Sequence, residues 1–381
     1  MSRPSMRARF LGTGVAALAL LAAGCTDSGA PIVIGVAGSF HAKPMMNNLL
    51  GAQLAVEEAN ANGGIEGRRL EIAIGDDMRS GEQAALVAER FVQDRRVVAV
   101  AGHVLSTTML AAAPLYDGHL AAVATLASAP ALTGISPWVF RVAASDDVLG
   151  SDLARFVVDQ RWTSAAILYR NDPYGRAFAS VFADAFSAAG GGSVDAYAVS
   201  DEAATPEDMD VYMRTLAARK PDVLLIVSST AIGVTMLQAA RAHRLDIPII
   251  GSDGWSYDLL LAEPAAEGIY SPASFLSDDE DSASVAFRAR FRQRFGEEPG
   301  QYGAAGYDAT IAIIAAIRSA GTDRKRVRDA LASQQRAPVL GATGPISFVD
   351  GDRAERSGGI VRIQNGKART YRRWDDRTVP P

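Results

Sequence analysis

Three short segments carry side chains suited to binding a charged small molecule. Ser106 lies in GHVLSTT, just past the apolar run 97–101. Ser128 lies in LASAPALT, past the run 121–125, and Asp253 lies in GSDGW, past the run 247–251. In open α/β sheets, ligands bind beyond the carboxyl ends of the strands. Two hydroxyls with neighbouring backbone N–H groups suit a carboxylate. The aspartate suits an ammonium. Together the three complement the zwitterion of a free amino acid. Serine and aspartate at such positions are also good helix N-caps, and spacing alone does not separate the two roles.

Other chemistry has little support in the chain. There is no GxxxxGK[ST] phosphate loop and no G-x-S-x-G elbow. GVAGS follows the first strand but lacks the G-x-G-x-x-G spacing of a dinucleotide site. His41, His103, His119 and His243 are scattered and read as surface or supporting residues. Glu57-Glu58 and Asp76-Asp77 are adjacent pairs, so their side chains diverge onto solvated faces and turns. The run Asp278-Asp279-Glu280-Asp281 reads as a solvated acidic loop. The expectation is therefore no catalytic site, no cofactor and no metal.

The single cysteine, Cys25, lies in LLAAGCTDSG. Arg3, Arg7 and Arg9 precede an apolar run from Phe10 to Ala23, the pattern of a secretory signal. The run is shorter than the ~20 residues that span a bilayer. Ala22, Ala23, Gly24 and Cys25 resemble a bacterial lipobox, although Ala22 stands where a larger residue is usual. The resemblance implies a cleaved signal peptide over 1–24, a lipid on the Cys25 thiol, and a lipidated tether over 25–31. Attached acyl chains would anchor the chain stably to a membrane.

The formal charge of −5 becomes −8 once the three signal arginines are removed. That argues against a nucleic-acid partner, which needs a basic surface. One thiol excludes internal disulfides and cysteine-based zinc sites. The remaining length suits two domains of common size.

The elements that must position these residues follow a regular order. PIVIGVAGSF opens with an apolar β-branched run that suits a buried parallel strand. NNLLGAQLAVEEANANGG is a helix stopped by Asn62-Gly63-Gly64. RRLEIAIGDD, VVAVAGH and LAAVATLASA are strands, with EQAALVAERFVQD a helix among them. The alternation restarts at SAAILYR and continues through PDVLLIVSS, IGVTMLQAARAHR and IPIIGS. Phe178, Phe182 and Phe186 mark a helix between. Two α/β units with parallel sheets are thus expected in sequence. Beyond Ser271 three helices follow, then short strands with turns at Asp350-Gly351 and Asn365-Gly366.

The phrases LLGAQLAVEEANANGGIEGRRLEI, VVAVAGHVLSTT, ASAPALTG, VFRVAASDD, NDPYGRAFA, IIGSDGW, YGAAGYDA and GPISFVDGD occur in this order. The ordered set, from Pro31 to about Asp352, resembles the branched-chain amino acid binding proteins of ABC transporters. The resemblance implies an α/β, type I periplasmic binding fold, with two Rossmann-like lobes joined by three hinge crossovers. Lobe one would comprise 32–144 and 273–344, and lobe two 145–272 and 345–381. It also implies roles for six residues. Ser106 and Ser128 would bind the ligand carboxylate, with Ser128 also near the amino group. The Leu126 carbonyl would accept from the ammonium, Asp253 would neutralise it from the other lobe, and Tyr174 would close over the ligand. Ser229 stands where many relatives place a tyrosine. The loop GSFHAKPMMNN lacks the expected aromatic, with Phe40 or His41 as replacements.

The implied function is that of an extracytoplasmic, lipid-anchored solute-binding protein. It would capture a branched-chain or other aliphatic amino acid and deliver it to an ABC permease with its ATPase subunits, acting as a monomer. The same fold also serves receptors for amides, urea or aromatic acids, and sensory modules.

Overall fold

A computed structural model describes residues 29–41, 45–200, 205–253, 255, 260–355 and 357–374. The expected signal peptide and Cys25 lie outside the described residues.

The first half-chain alternates strand and helix: β1 (Ile32–Gly38), α1 (Met45–Ala61), β2 (Leu70–Asp76), α2 (Gly81–Gln93), β3 (Val97–Ala101), α3 (Ser106–Tyr116), β4 (Ala121–Ala124) and β5 (Val139–Arg141). The pattern restarts with α4 (Asp146–Asp159), β6 (Ala165–Arg170), α5 (Pro173–Ala188), β7 (Val194–Val199), α6 (Pro206–Arg219), β8 (Val223–Val227), α7 (Thr230–Ala242), β9 (Ile249–Ile250) and β10 (Tyr270–Ala273). Three helices follow: α8 (Ser282–Phe295), α9 (Gly300–Ala320) and α10 (Arg324–Ala332). Short strands close the chain: β11 (Val339–Gly341), β12 (Gly344–Ile346), β13 (Phe348–Val349), β14 (Asp352–Arg353), β15 (Gly359–Gln364) and β16 (Lys367–Arg373).

The strands form two seven-stranded sheets and a small hairpin. The first sheet runs β13-β14-β5-β4-β3-β1-β2, and the second runs β16-β15-β10-β9-β8-β6-β7. Every residue of β1, β3 and β8 is buried, because helices cover both faces of each sheet. In each sheet the order reverses beside a central strand: β1 lies between β2 and β3, and β6 lies between β7 and β8. Such reversals open a crevice at the carboxyl ends of the strands. This is the type I periplasmic binding fold.

The chain passes between the sheets three times, after β5, after β10 and after β14. The third passage falls later than the expected 344/345 boundary. β13 and β14 belong to the first sheet, where Asp352 pairs in parallel with Arg141 and the Arg141 N–H donates to the Gly351 carbonyl. Two-residue strands carry no periodic signal, so sequence pattern could not place them. The second passage follows Ala273, which still pairs with Gly359 in the second sheet. Both expected turns are tight hairpin loops. Asp350-Gly351 and Asn365-Gly366 have positive φ at both residues, as a type I′ turn requires.

The helix expected to need a covering surface, α9, lies against α1 in the first lobe. The approach is close enough to demand glycine. A Cβ on Gly51 would sit 2.0 Å from the Gly303 carbonyl oxygen, and one on Gly306 would sit 2.0 Å from that of Asn48. Gly51→Ala is expected to force the helices apart and lower stability by about 1–3 kcal/mol. A urea unfolding curve reads this as a lower midpoint at unchanged slope.

The acidic run 278–281 is not a free loop. Asp278 accepts from the Thr370 N–H at 3.0 Å, Asp279 pairs with Arg373 at 2.9 Å, and Asp281 caps α8.

Candidate functional site

A cavity of about 690 Å³ lies between the two sheets, beyond the carboxyl ends of their strands. Ser106, Leu126, Ser128, Tyr174, Ser229 and Asp253 all line it. Six residues from five separate loops and helix starts are thus brought together. The first three come from the first sheet and the others from the second.

The first-sheet wall is built on the Ser106 helix start and the Ser128 loop, which are hydrogen-bonded to each other. Ser106 opens α3, and its Oγ accepts from the N–H groups of Ser128 at 3.2 Å and Ala129 at 3.1 Å. The Ser128 loop is fixed from behind by the buried Arg141. Its guanidinium donates to the carbonyls of Ser128 and Ala129 at 2.9 Å each, to Thr133 Oγ1 at 2.6 Å, and to both Asp352 oxygens. Beside the serines, Met45, Val104, Leu105, Leu126 and Tyr302 form an apolar face. Phe40 and His41, expected to supply the missing aromatic, do not line the cavity. Phe40 is buried in the lobe core and His41 pairs with Asp76 at 2.9 Å.

The second-sheet wall carries the carboxylate of Asp253. The Tyr174 hydroxyl donates to Asp253 Oδ1 and stands 2.6 Å from Ser252 Oγ. Burial, with Asp253 and Asp146 nearby, holds the Tyr174 hydroxyl well above the usual phenol range. It therefore remains a donor. Ser229 occupies the N-cap position of α7, but its side chain makes no capping hydrogen bond. Gln301, at the start of α9 in the first lobe, donates across to the Asp253 and Trp255 carbonyls. It ties the Asp253 turn to the opposite lobe.

Sequence reasoning missed Asp146. It begins α4, where the chain first crosses between lobes, and is fully buried. Neither carboxylate oxygen has a well-formed hydrogen bond, though the Ser128 side chain stands nearby. Burial, and next the charge of Asp253, push its pKa well above the ordinary carboxylate range. The signal was an acid following VFRVAAS, but Asp146-Asp147 looks like any solvated pair. A cationic group docking at Asp253 offsets the repulsion and lowers Asp146 again. Binding such a cation is expected to release protons between the empty and occupied pKa values. Affinity then rises with pH across that window. Calorimetry in two buffers of different ionisation enthalpy counts the protons; a zero count throughout contradicts the coupling.

The pair Asp76-Asp77 also departs from expectation. The side chains diverge, but Asp77 is buried. Its Oδ2 meets His103 Nδ1 at 2.8 Å, and His103 Nε2 meets the Tyr116 hydroxyl at 3.1 Å. His103 is thus a buried brace three residues before Ser106. Among the described residues no group of His, Cys, Asp and Glu could hold a metal, and no helix is long and apolar enough to cross a membrane.

A cleft between two α/β lobes, with hydroxyl and amide donors on one wall and a carboxylate on the other, defines a solute receptor. The chain belongs to the periplasmic binding protein family, whose model matches residues 31–368. It is 27% identical over 294 residues to the leucine-, isoleucine-, valine-, threonine-, and alanine-binding protein of Pseudomonas aeruginosa, covering 74% of this chain and 76% of that one. It is 31% identical over 186 residues to an amino acid binding protein of the same organism, covering 47% of this chain. That match spans only 49% of the relative's length. Among solved structures, an ABC transporter substrate-binding protein of Desulfitobacterium hafniense in complex with Leu superposes with a TM-score of 0.78. The two are 27% identical, with 89% of this chain and 99% of the other covered.

Proposed function

We propose that the chain is an extracytoplasmic receptor that captures an α-amino acid with an aliphatic side chain and hands it to an ABC permease with its ATPase subunits. The observation that carries this reading is the pairing of Ser106 and Ser128 with Asp253 across one cavity. A carboxylate docks first on the first lobe, against the Ser106 and Ser128 hydroxyls and neighbouring N–H groups. The ammonium is held by the Leu126 carbonyl and Asp253, with Asp146 behind it. Tyr174 closes over the ligand and Ser229 borders its side chain. The apolar face from Met45 to Tyr302 receives the aliphatic group.

Closure is selected because only the closed form contacts both ends of the ligand. Excluding water strengthens each charged contact. Residues 32–144 with 274–353 act as one lobe, and 145–273 with 359–374 as the other. The chain works as a monomer and without catalysis, and a lipid on Cys25 holds it at the cell membrane. The names of its relatives, and the bound Leu of the Desulfitobacterium protein, support the ligand class.

The test is calorimetric titration of residues 26–381, refolded free of carried-over ligand, with leucine, isoleucine, valine and their deaminated acids. Tight one-to-one binding that requires the amino group supports the proposal. Equal binding of the deaminated acids would falsify the role given to Asp253.

A further inference from the structure

Three arginines line the cleft beside the groups assigned to the amino acid: Arg79 from the first lobe, and Arg170 and Arg176 from the second. Two of them have partners. Arg170 stands 3.3 Å from Asp172, and Arg176 donates to the Asn171 carbonyl at 3.2 Å and to its Oδ1 at 2.9 Å. Arg79 differs. Among the described residues its guanidinium has no hydrogen bond or ion pair; only its backbone N–H is engaged. Its charge bears on the buried hydroxyl of Tyr302, which lines the same cavity.

The backbone that presents Arg79 is unusual. Met78 and Arg79 have φ of 49° and 60°, successive left-handed residues without glycine. That conformation is uncommon for residues with a side chain, and it persists where neighbours enforce it. Here two carboxylates enforce it. Asp76 Oδ1 accepts from the Met78 N–H at 2.9 Å, and Asp77 Oδ1 from the Arg79 N–H at 3.0 Å. The other oxygen of Asp77 holds His103, just ahead of Ser106. One buried carboxylate therefore positions both the Arg79 turn and the serine loop.

The two carboxylates on the cavity wall are engaged elsewhere, Asp172 beside Arg170 and Asp253 with the Tyr174 hydroxyl. An amino acid with a neutral side chain is a zwitterion whose two ends are taken by the serines and Asp253, and it leaves Arg79 without a counter-ion. A second carboxylate on the ligand would supply one, and its methylene stem would lie along Val104, Leu105 and Leu126.

We propose that Arg79 is the recognition group of a second anionic subsite, extending the ligand range from aliphatic amino acids to those with a carboxylate side chain. This rests on the α-amino acid reading given above. A guanidinium meets a carboxylate through paired, charge-assisted hydrogen bonds, which an amide of the same shape cannot match.

The test is titration of the ligand-free chain and of Arg79→Gln with glutamate, glutamine and leucine. The unaltered chain is expected to bind glutamate roughly tenfold more tightly than glutamine, and Arg79→Gln to abolish that ratio. The ratio of glutamate to leucine affinity should fall with it. No preference for glutamate over glutamine overturns the proposal, as does a preference that survives in Arg79→Gln. The comparison within the unaltered chain holds whatever the variant does to folding. If no α-amino acid binds, the amino acid reading fails, and glutarate then tests the subsite alone. Glutarate binding that Arg79→Gln weakens upholds it; silence overturns it.

Discussion

Asp253→Asn is expected to weaken binding of an aliphatic amino acid by two to three orders of magnitude. The substitution keeps shape and removes charge, so the ligand ammonium would be buried without its counter-ion. Breaking a buried pair by removing one partner costs about 3–5 kcal/mol, and each ~1.4 kcal/mol is a factor of ten in affinity. Asp146 does not compensate fully. Burial still raises its pKa once Asp253 is neutral, although the repulsion from Asp253 disappears. The variant should therefore recover some affinity at higher pH, where Asp146 ionises. Titration calorimetry at two pH values reads both effects. A variant binding as tightly as the parent would place the ammonium elsewhere in the cleft.

The second large effect is expected at Arg141. Arg141→Met fills much of the same volume and removes five hydrogen bonds to Ser128, Ala129, Thr133 and Asp352. Asp352 then loses its counter-ion, and the Ala129 carbonyl loses the donor it shares with Ser128. About 3 kcal/mol of stability is at stake, the lower end of the range for a broken buried pair, because Asp352 is 24% exposed. Chemical denaturation measures the loss. Affinity should fall as well, since the loop bearing the Ser128 N–H would no longer be held. Loss of stability with unchanged affinity would show that the loop keeps its shape without the arginine.

The reach of sequence reasoning follows from this chemistry. The strands were legible because those of a doubly covered parallel sheet are apolar on both faces, as in β3 and β8. Ser106, Ser128 and Asp253 were legible because each follows such a run directly. The roles proposed for them rest on the family resemblance, since a helix cap asks for the same side chains. Arg141 and Asp146 were not legible. Arg141 finds Asp352 211 residues away, and no local pattern announces such a partner. Asp146 differs from a surface acid only in the burial that the hinge imposes. Arg79 was missed for the opposite reason: it sits in a polar turn where arginine is ordinary, and its conformation shows only in three dimensions.

The contact between α1 and α9 bears on how the chain folds. Asn48 Nδ2 donates to the Tyr302 carbonyl, 254 residues further along. The first lobe therefore cannot complete its core until almost the whole chain is present, whereas much of the second lobe lies within one continuous stretch. Contacts so distant in sequence slow folding, because a long loop must close before they contribute. A nascent chain thus carries the unpaired apolar faces of β1 and α1 while the second lobe is made. The lobe that begins first is therefore held incomplete until most of the second is made, and β15 and β16, the last strands synthesised, then close the edge of the second sheet.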